Sequence, residues 1–251
     1  MNPARRYVLG MGVDGTSYEA AAHSVLHWAH RGEPRYVCLA NVHMVMEAHD
    51  DPSFRALVNN ADLITPDGMP LVWALRRLGV ASQARVYGPT LMLHVCALAE
   101  REGIGVGLYG GTPESVTVMQ DYLRQRYPAL SVPYVFAPPF RALTEAEDAE
   151  VVRDILVSGA RVLFVGLGCP KQERWMAAHK DRLPLVTLGV GAAFDFHSGR
   201  VKQAPRWLQL LGLEWLFRLA MEPRRLWRRY LKHNPRFLGL LGLQLMGLRR
   251  S

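Results

Sequence analysis

The stretch Ala61-Asp62-Leu63-Ile64-Thr65-Pro66-Asp67-Gly68 decides how the rest of the chain is read. Leu63, Ile64 and Thr65 have the apolar, β-branched character of a short buried strand. Pro66-Asp67-Gly68 breaks that strand as a turn does. From Met69 to Leu78 apolar residues recur at helical spacing, so the order is strand, turn, helix. This order puts the Asp67 carboxylate at the carboxyl end of a strand, where open α/β sheets build their sites.

The same alternation runs outward in both directions. Thr16-x-x-Glu19 has the form of a capping box and opens a helix to about Arg31. Tyr36–Ala40 reads as a strand ending at Asn41, with two short helices after it. Helices are expected at 90–101, 144–157 and 170–179, and Thr112-Pro113-Glu114 opens another. Strands are expected at 7–9, 104–109, 132–136, 161–165 and 185–188. A regular strand–helix alternation predicts a mostly parallel sheet with helices on both faces, a single Rossmann-like α/β domain over residues 1–199.

Composition narrows the class. The chain has 251 residues, 49% hydrophobic and 21% charged, which describes an ordinary globular protein. Its three cysteines, Cys38, Cys96 and Cys169, are far apart and lack metal-ligand spacing, so neither a disulfide framework nor a zinc site is expected. No run reaches the roughly 18–20 apolar residues of a spanning helix. The net charge of +8 is uneven: residues 200–251 hold 12 of the 30 Lys+Arg and only 2 of the 22 Asp+Glu. Three of the six tryptophans, Trp207, Trp215 and Trp227, fall in the same segment. This segment reads as a basic helical appendage. Trp215, Leu219, Leu226 and the apolar run 237–248 are expected to settle into a membrane interface, with arginines attracting anionic lipid. Because the basic residues alternate with Leu and Trp and carry no recognised module, nucleic-acid binding is not favoured.

Chemistry is expected where glycines end strands: Gly110-Gly111, Gly166-x-Gly168 and Gly189-x-Gly191. Glycine lets a ligand approach the backbone, and a following helix N-terminus favours phosphate. After Gly166-Leu-Gly168 comes Cys169-Pro170-Lys171, so the dinucleotide fingerprint G-x-G-x-x-G is absent, as is a Walker A motif. Pro170-Lys171-Gln172-Glu173 offers a cation, an amide and a carboxylate beside that phosphate site. No D-x-D pair exists, the histidines are scattered, and neither a metal nor a cofactor is assigned. His43 and His197 are read as structural.

These residues carry a resemblance. Asn41, Ala61-Asp62-Leu63, Pro66-Asp67-Gly68, Arg85-Val86-x-Gly88, Gly166-x-Gly168-x-Pro170-Lys171-Gln172-Glu173, Gly189-Val-Gly191-x-x-Phe194-Asp195, Ala204-Pro205, Gly212-Leu213-Glu214-Trp215, Arg218, Glu222-Pro223-Arg224-Arg225 and Arg229-Tyr230 resemble the WecG/TagA/CpsF glycosyltransferases, glycosyltransferase family 26, in order along almost the whole chain. The resemblance implies inverting, metal-independent sugar transfer from a UDP-sugar to a polyprenyl-diphosphate-linked saccharide. It implies a peripheral position at the cytoplasmic face of a bacterial membrane, with Asp67 as general base. Leu39 stands where the family often has Thr, and Ala40-Asn41-Val42-His43-Met44 looks like exopolysaccharide members that transfer glucose. UDP-glucose and UDP-N-acetylmannosamine are the donors in view.

The expected catalytic set is Asp67, Asn41 and Arg85. The expected substrate-binding set is Gly110, Gly166, Gly168, Lys171, Gln172, Glu173, Gly191, Asp195, Arg218 and Arg225. In it Gln172 and its helix N-terminus would hold the diphosphate, and Arg85, Arg218 and Arg225 would offset the charge on leaving UDP. The rival is a non-catalytic nucleotide-binding protein that docks on membranes through its tail.

Overall fold

The computed structural model describes residues 4–248. Residues 1–3 and 249–251, the outermost parts of the expected core and tail, lie outside that range. In chain order the elements are β1 (Arg5–Val8), β2 (Met11–Asp14), α1 (Tyr18–Arg31), β3 (Arg35–Ala40), α2 (Val42–Asp50), α3 (Pro52–Asn59), β4 (Leu63–Pro66), α4 (Met69–Arg77), α5 (Gly88–Glu102), β5 (Val106–Gly110) and α6 (Pro113–Arg126). There follow β6 (Tyr134–Phe136), α7 (Glu145–Ser158), β7 (Val162–Gly166), α8 (Lys171–His179), β8 (Val186–Gly189), α9 (Ala193–His197), α10 (Arg206–Leu210), α11 (Glu214–Met221) and α12 (Pro223–Leu245). One six-stranded sheet has the order β4-β3-β8-β7-β5-β6, and its pairs β3–β8, β8–β7, β7–β5 and β5–β6 are parallel. The α/β class expected from the alternation is the class observed.

The chain divides into two compact units. One takes Tyr18–Cys38 and Gly88–Val201. Its strands are near-continuous apolar runs; Val106, Leu108, Val162, Leu163, Phe164, Val165, Val186 and Leu188 are fully buried. That is the signature of parallel strands covered on both faces. Helix α1 buries Ala21, Ala22, Val25, Leu26 and Ala29, the spacing of one helical stripe, and packs along α5.

The other unit takes the residues up to Ser17, Leu39–Tyr87 and those from Lys202 on. It starts with a hairpin that the sequence reading missed: β1 and β2 pair antiparallel from Arg5↔Asp14 to Val8↔Met11. The two-residue loop Leu9-Gly10 has φ of 52° and 86°, the positive pair that a tight hairpin turn requires. Asp14, buried, receives Arg5 Nε and Nη2 at 2.8 and 2.9 Å and the Ile64 amide at 2.8 Å, tying the hairpin to β4.

Helix α12 packs on α2 in this unit. It buries Leu226, His233, Phe237 and Leu241, spaced seven, four and four residues apart on one stripe. This corrects the reading of the tail. Leu226, Phe237 and Leu241 are buried within the protein and do not face a membrane, α12 being packed on both α2 and α11. Of the expected set Trp215, Leu238, Leu243, Leu245, Met246 and Leu248 are exposed, as are Trp207, Leu210, Leu211, Leu216 and Leu231.

Candidate functional site

In the unit that holds β4, the site is built on the ends of β3 and β4. Asn41 follows β3 and caps α2: its Oδ1 accepts from Met44 N at 3.2 Å. Asp67 follows β4, and the amides of Asp67 and Gly68 both donate to Ala40 O, at 2.8 and 3.2 Å. A Cβ at Gly68 would lie 3.5 Å from the Cα and Cβ of Asn41, so the Asp67 turn rests directly against Asn41. Two of the expected catalytic residues are thus brought together by backbone hydrogen bonds alone.

Arg85 completes the cluster. Its Nε donates to the main-chain oxygen of Asp67, its Nη2 donates to Glu214 Oε2 at 2.6 Å, and Nη2 stands 3.9 Å from Asp67 Oδ1. Gln209 Oε1 accepts from Nη1 at 3.4 Å. The guanidinium lies 4.0 Å from the Tyr87 ring centre, and the Tyr87 hydroxyl donates to Glu214 Oε1 at 3.2 Å. Burial works against the charge on Arg85, but the carboxylates of Asp67 and Glu214 outweigh it and hold its pKa above the ordinary value. Burial first, then Glu214 and Asp67, pushes the Tyr87 phenol well above its usual range, so it stays a donor. The guanidinium charge is therefore already met within the protein. Glu214, Tyr87 and Gln209 were not singled out as site residues from sequence. The only signal was that Glu214 stood inside the quoted Gly212-Leu213-Glu214-Trp215 motif and Tyr87 at the open position of Arg85-Val86-x-Gly88.

Arg218 and Arg225 both reach Glu222 Oε2, at 3.8 and 2.9 Å. Arg225 is exposed, whereas the Arg218 side chain is mostly covered, at 18% accessibility.

In the other unit the glycine turns follow β5, β7 and β8. Gly110 has φ of 121°, and a Cβ there would lie 2.6 Å from the carbonyl carbon of Gly166, so β5 and β7 can end side by side only with glycine. Gly168, at φ 78°, would place a Cβ with no described atom within 4 Å, which leaves that backbone open to a ligand.

Gln172 has a different position from the one expected of a diphosphate ligand. It is buried, and its Oε1 accepts from Gly168 N and Gly191 N at 3.1 and 3.0 Å. Its Nε2 donates to Gly189 O at 3.0 Å and to Glu173 Oε1 at 2.7 Å. The amide braces two glycine turns at once. Lys171 opens α8 at the surface, and Asp195 sits partly covered in α9. Arg200 Nη1 donates to Thr112 Oγ1, the cap of α6, at 2.5 Å. His197 is satisfied by the Pro89 carbonyl at 3.0 Å.

Glu173 is fully buried beside Gln172. Burial pushes its carboxyl up to about 7, against hydrogen bonds from Gln172, its own amide and the Cys169 thiol that favour the anion. A carboxyl whose pKa is higher folded than unfolded binds more protons in the folded state. Its stabilising contribution is full below the ordinary 4.5 and is lost as pH rises through about 7. Glu173→Gln, neutral at every pH, is expected to abolish this fall and to exceed the parent in stability at pH 8 by on the order of 3 kcal/mol. Denaturant midpoints at pH 5 and pH 8 for both proteins check it.

Two comparisons with known proteins bear on these residues. The family model described as "Glycosyl transferase WecG/TagA/CpsF family" matches residues 6–251. The chain is 30% identical over 240 residues to the N-acetylglucosaminyldiphosphoundecaprenol N-acetyl-beta-D-mannosaminyltransferase of Staphylococcus aureus (strain MW2), covering 94% of this chain and 92% of that one. With strand–helix order, glycine turns and the Asp67 cluster running through the matched range, the chain belongs to the WecG/TagA/CpsF family and is a glycosyltransferase.

Proposed function

We propose that this enzyme moves a hexose or N-acetylhexosamine from a UDP-sugar to a polyprenyl-diphosphate-linked saccharide, with inversion at the anomeric carbon. The observation that carries the proposal is the Asp67 carboxylate at the end of β4, its turn fixed by Ala40 O and by Arg85. The acceptor hydroxyl oxygen attacks the anomeric carbon, Asp67 takes the hydroxyl proton, and UDP leaves with the bonding electron pair. Asn41 spends Oδ1 on the helix cap, so its amide Nδ2 is the group that orients sugar or acceptor. The glycine turns at Gly110, Gly166, Gly168 and Gly191 let the diphosphate approach the backbone, and Gln172, which takes the Gly168 and Gly191 amides on its Oε1, holds two of these turns in place. Lys171, Arg218 and Arg225 are the cations that offset charge on the leaving group. Arg85, already paired with Glu214, positions Asp67. The name of the Staphylococcus aureus relative supports a lipid-linked acceptor and an N-acetylmannosaminyl donor. UDP-glucose is the competing donor, suggested by Leu39 and the stretch after it.

Among the described residues no helix is long and apolar enough to cross a membrane. A lipid-linked acceptor is then met at the surface, through exposed Trp207, Leu210 and Leu216 beside the tail arginines. The test is transfer from radiolabelled UDP-glucose and UDP-N-acetylmannosamine to a lipid-linked saccharide. Label is expected in the lipid fraction with one of the two. Tight UDP binding without transfer from any UDP-sugar would overturn the proposal.

A further inference from the structure

One partly buried group of titratable side chains lies outside the residues assigned to sugar transfer. His43 and Glu47 lie four residues apart on α2 and so share a face. Helix α12 lays His233 against them. His43 Nδ1 is 3.7 Å from Glu47 Oε1, and His233 Nε2 is 3.5 Å from the same oxygen. One ligand atom from each residue falls within 4.8 Å of the other two.

Such separations are long for hydrogen bonds. They suit three ligands of one small ion. Bonds of about 2.0–2.2 Å at tetrahedral angles set neighbouring ligand atoms roughly 3.3–3.6 Å apart. The imidazole rings of His43 and His233 are tilted by 53° with centres 5.2 Å apart, so they converge and do not stack. Glu47 remains 31% accessible, so solvent can reach the cluster and occupy a fourth position. The next carboxylate on α2, Asp50, is already taken by Arg236 at 2.9 and 2.6 Å.

We propose that His43, Glu47 and His233 bind one divalent transition-metal ion of the zinc class, which fastens α12 to α2. Two nitrogens and one carboxylate oxygen suit Zn²⁺, whereas Mg²⁺ and Ca²⁺ prefer all-oxygen shells. The ion would link two segments far apart in the chain, and it would steady α2, the helix that Asn41 caps. The role is structural, and it stands apart from the proton transfer at Asp67.

The test uses the full chain, stripped with EDTA and dialysed against metal-free buffer. Calorimetric titration with Zn²⁺ is expected to show one saturable equivalent, and Co²⁺ in its place to give visible d–d absorption. At a hundredfold excess over Kd, Zn²⁺ is expected to raise the Tm by roughly 5–10 °C. Glu47→Gln and His43→Gln, both at partly accessible positions, are expected to lose the equivalent and the Tm rise while the metal-free Tm stays near that of the parent. His23→Gln, on the exposed side of α1, is expected to keep both. Absence of a saturable equivalent overturns the inference, and so does an equivalent that survives Glu47→Gln, which would point to a thiol such as Cys169.

Discussion

Replacing Asp67 with asparagine is expected to give a folded protein whose turnover is lower by roughly 100-fold or more. The substitution leaves the local architecture alone. The Asp67 amide still donates to Ala40 O, and Arg85 Nε still finds the Asp67 carbonyl, because both bonds are made by the main chain. What is lost is the carboxylate proposed to accept the acceptor proton, plus a 3.9 Å ion pair with Arg85 that is too long to hold the turn together. UDP affinity, measured by calorimetry, should stay near the parent value, as should the Tm. Near-normal turnover in the folded variant would remove Asp67 as the base and send the search to another carboxylate.

Arg85→Met is expected to cost about 3 kcal/mol of stability, the lower end of the range for breaking a buried pair. Glu214 and Asp67, at 15% and 17% accessibility, would then share one cluster with no cation between them. Adding Glu214→Leu removes one of the two stranded carboxylates. The double variant should therefore recover much of the loss, with a coupling of about 2 kcal/mol read from denaturant melts. Turnover should stay low in both variants, since neither restores the clamp on the Asp67 carbonyl. If turnover returns with stability, Arg85 contributes only to folding. If Arg85→Met is as stable as the parent, the Glu214 pair is worth nothing to the fold. This pair of substitutions is preferable to cutting the chain before Arg200. Such a cut would strip Leu226, Phe237 and Leu241 from the core and leave α2 without its partner.

What could be read in advance was whatever local chemistry determines. The β-branched run before Pro66-Asp67-Gly68, the glycines at strand ends and the strand–helix alternation each announce themselves within a few residues, and the α/β sheet follows from them. The β1–β2 hairpin did not announce itself, because Leu9-Gly10 lacks the Asn-Gly or Asp-Gly pair that marks tight hairpin loops. The apolar stripe of α12 was visible, but periodicity tells only that a face is covered, not by what; α2 and a lipid surface make the same demand on sequence. Arg85 and Glu214 are 129 residues apart, and nothing in either neighbourhood names the other. His43 and His233 are the same case: each looks like a lone structural histidine until α12 is laid on α2. Gln172 shows the opposite limit. Its motif pointed to a diphosphate ligand, whereas in the fold the amide serves the backbone of two turns.

Gln244, near the end of α12, donates from Nε2 to Tyr7 O at 2.7 Å and accepts from Leu9 N at 2.9 Å. The unit that carries Asp67 is thus closed by a residue 235 positions after Leu9. A ribosome must release Gln244 before the first hairpin meets its partner, whereas the segment Gly88–Val201 is complete some forty residues earlier. A nascent or prematurely terminated product could thus form the glycine turns after β5, β7 and β8 while the unit that carries Asp67 still lacks its closing partner. Birth order therefore sets which of the two units can close first.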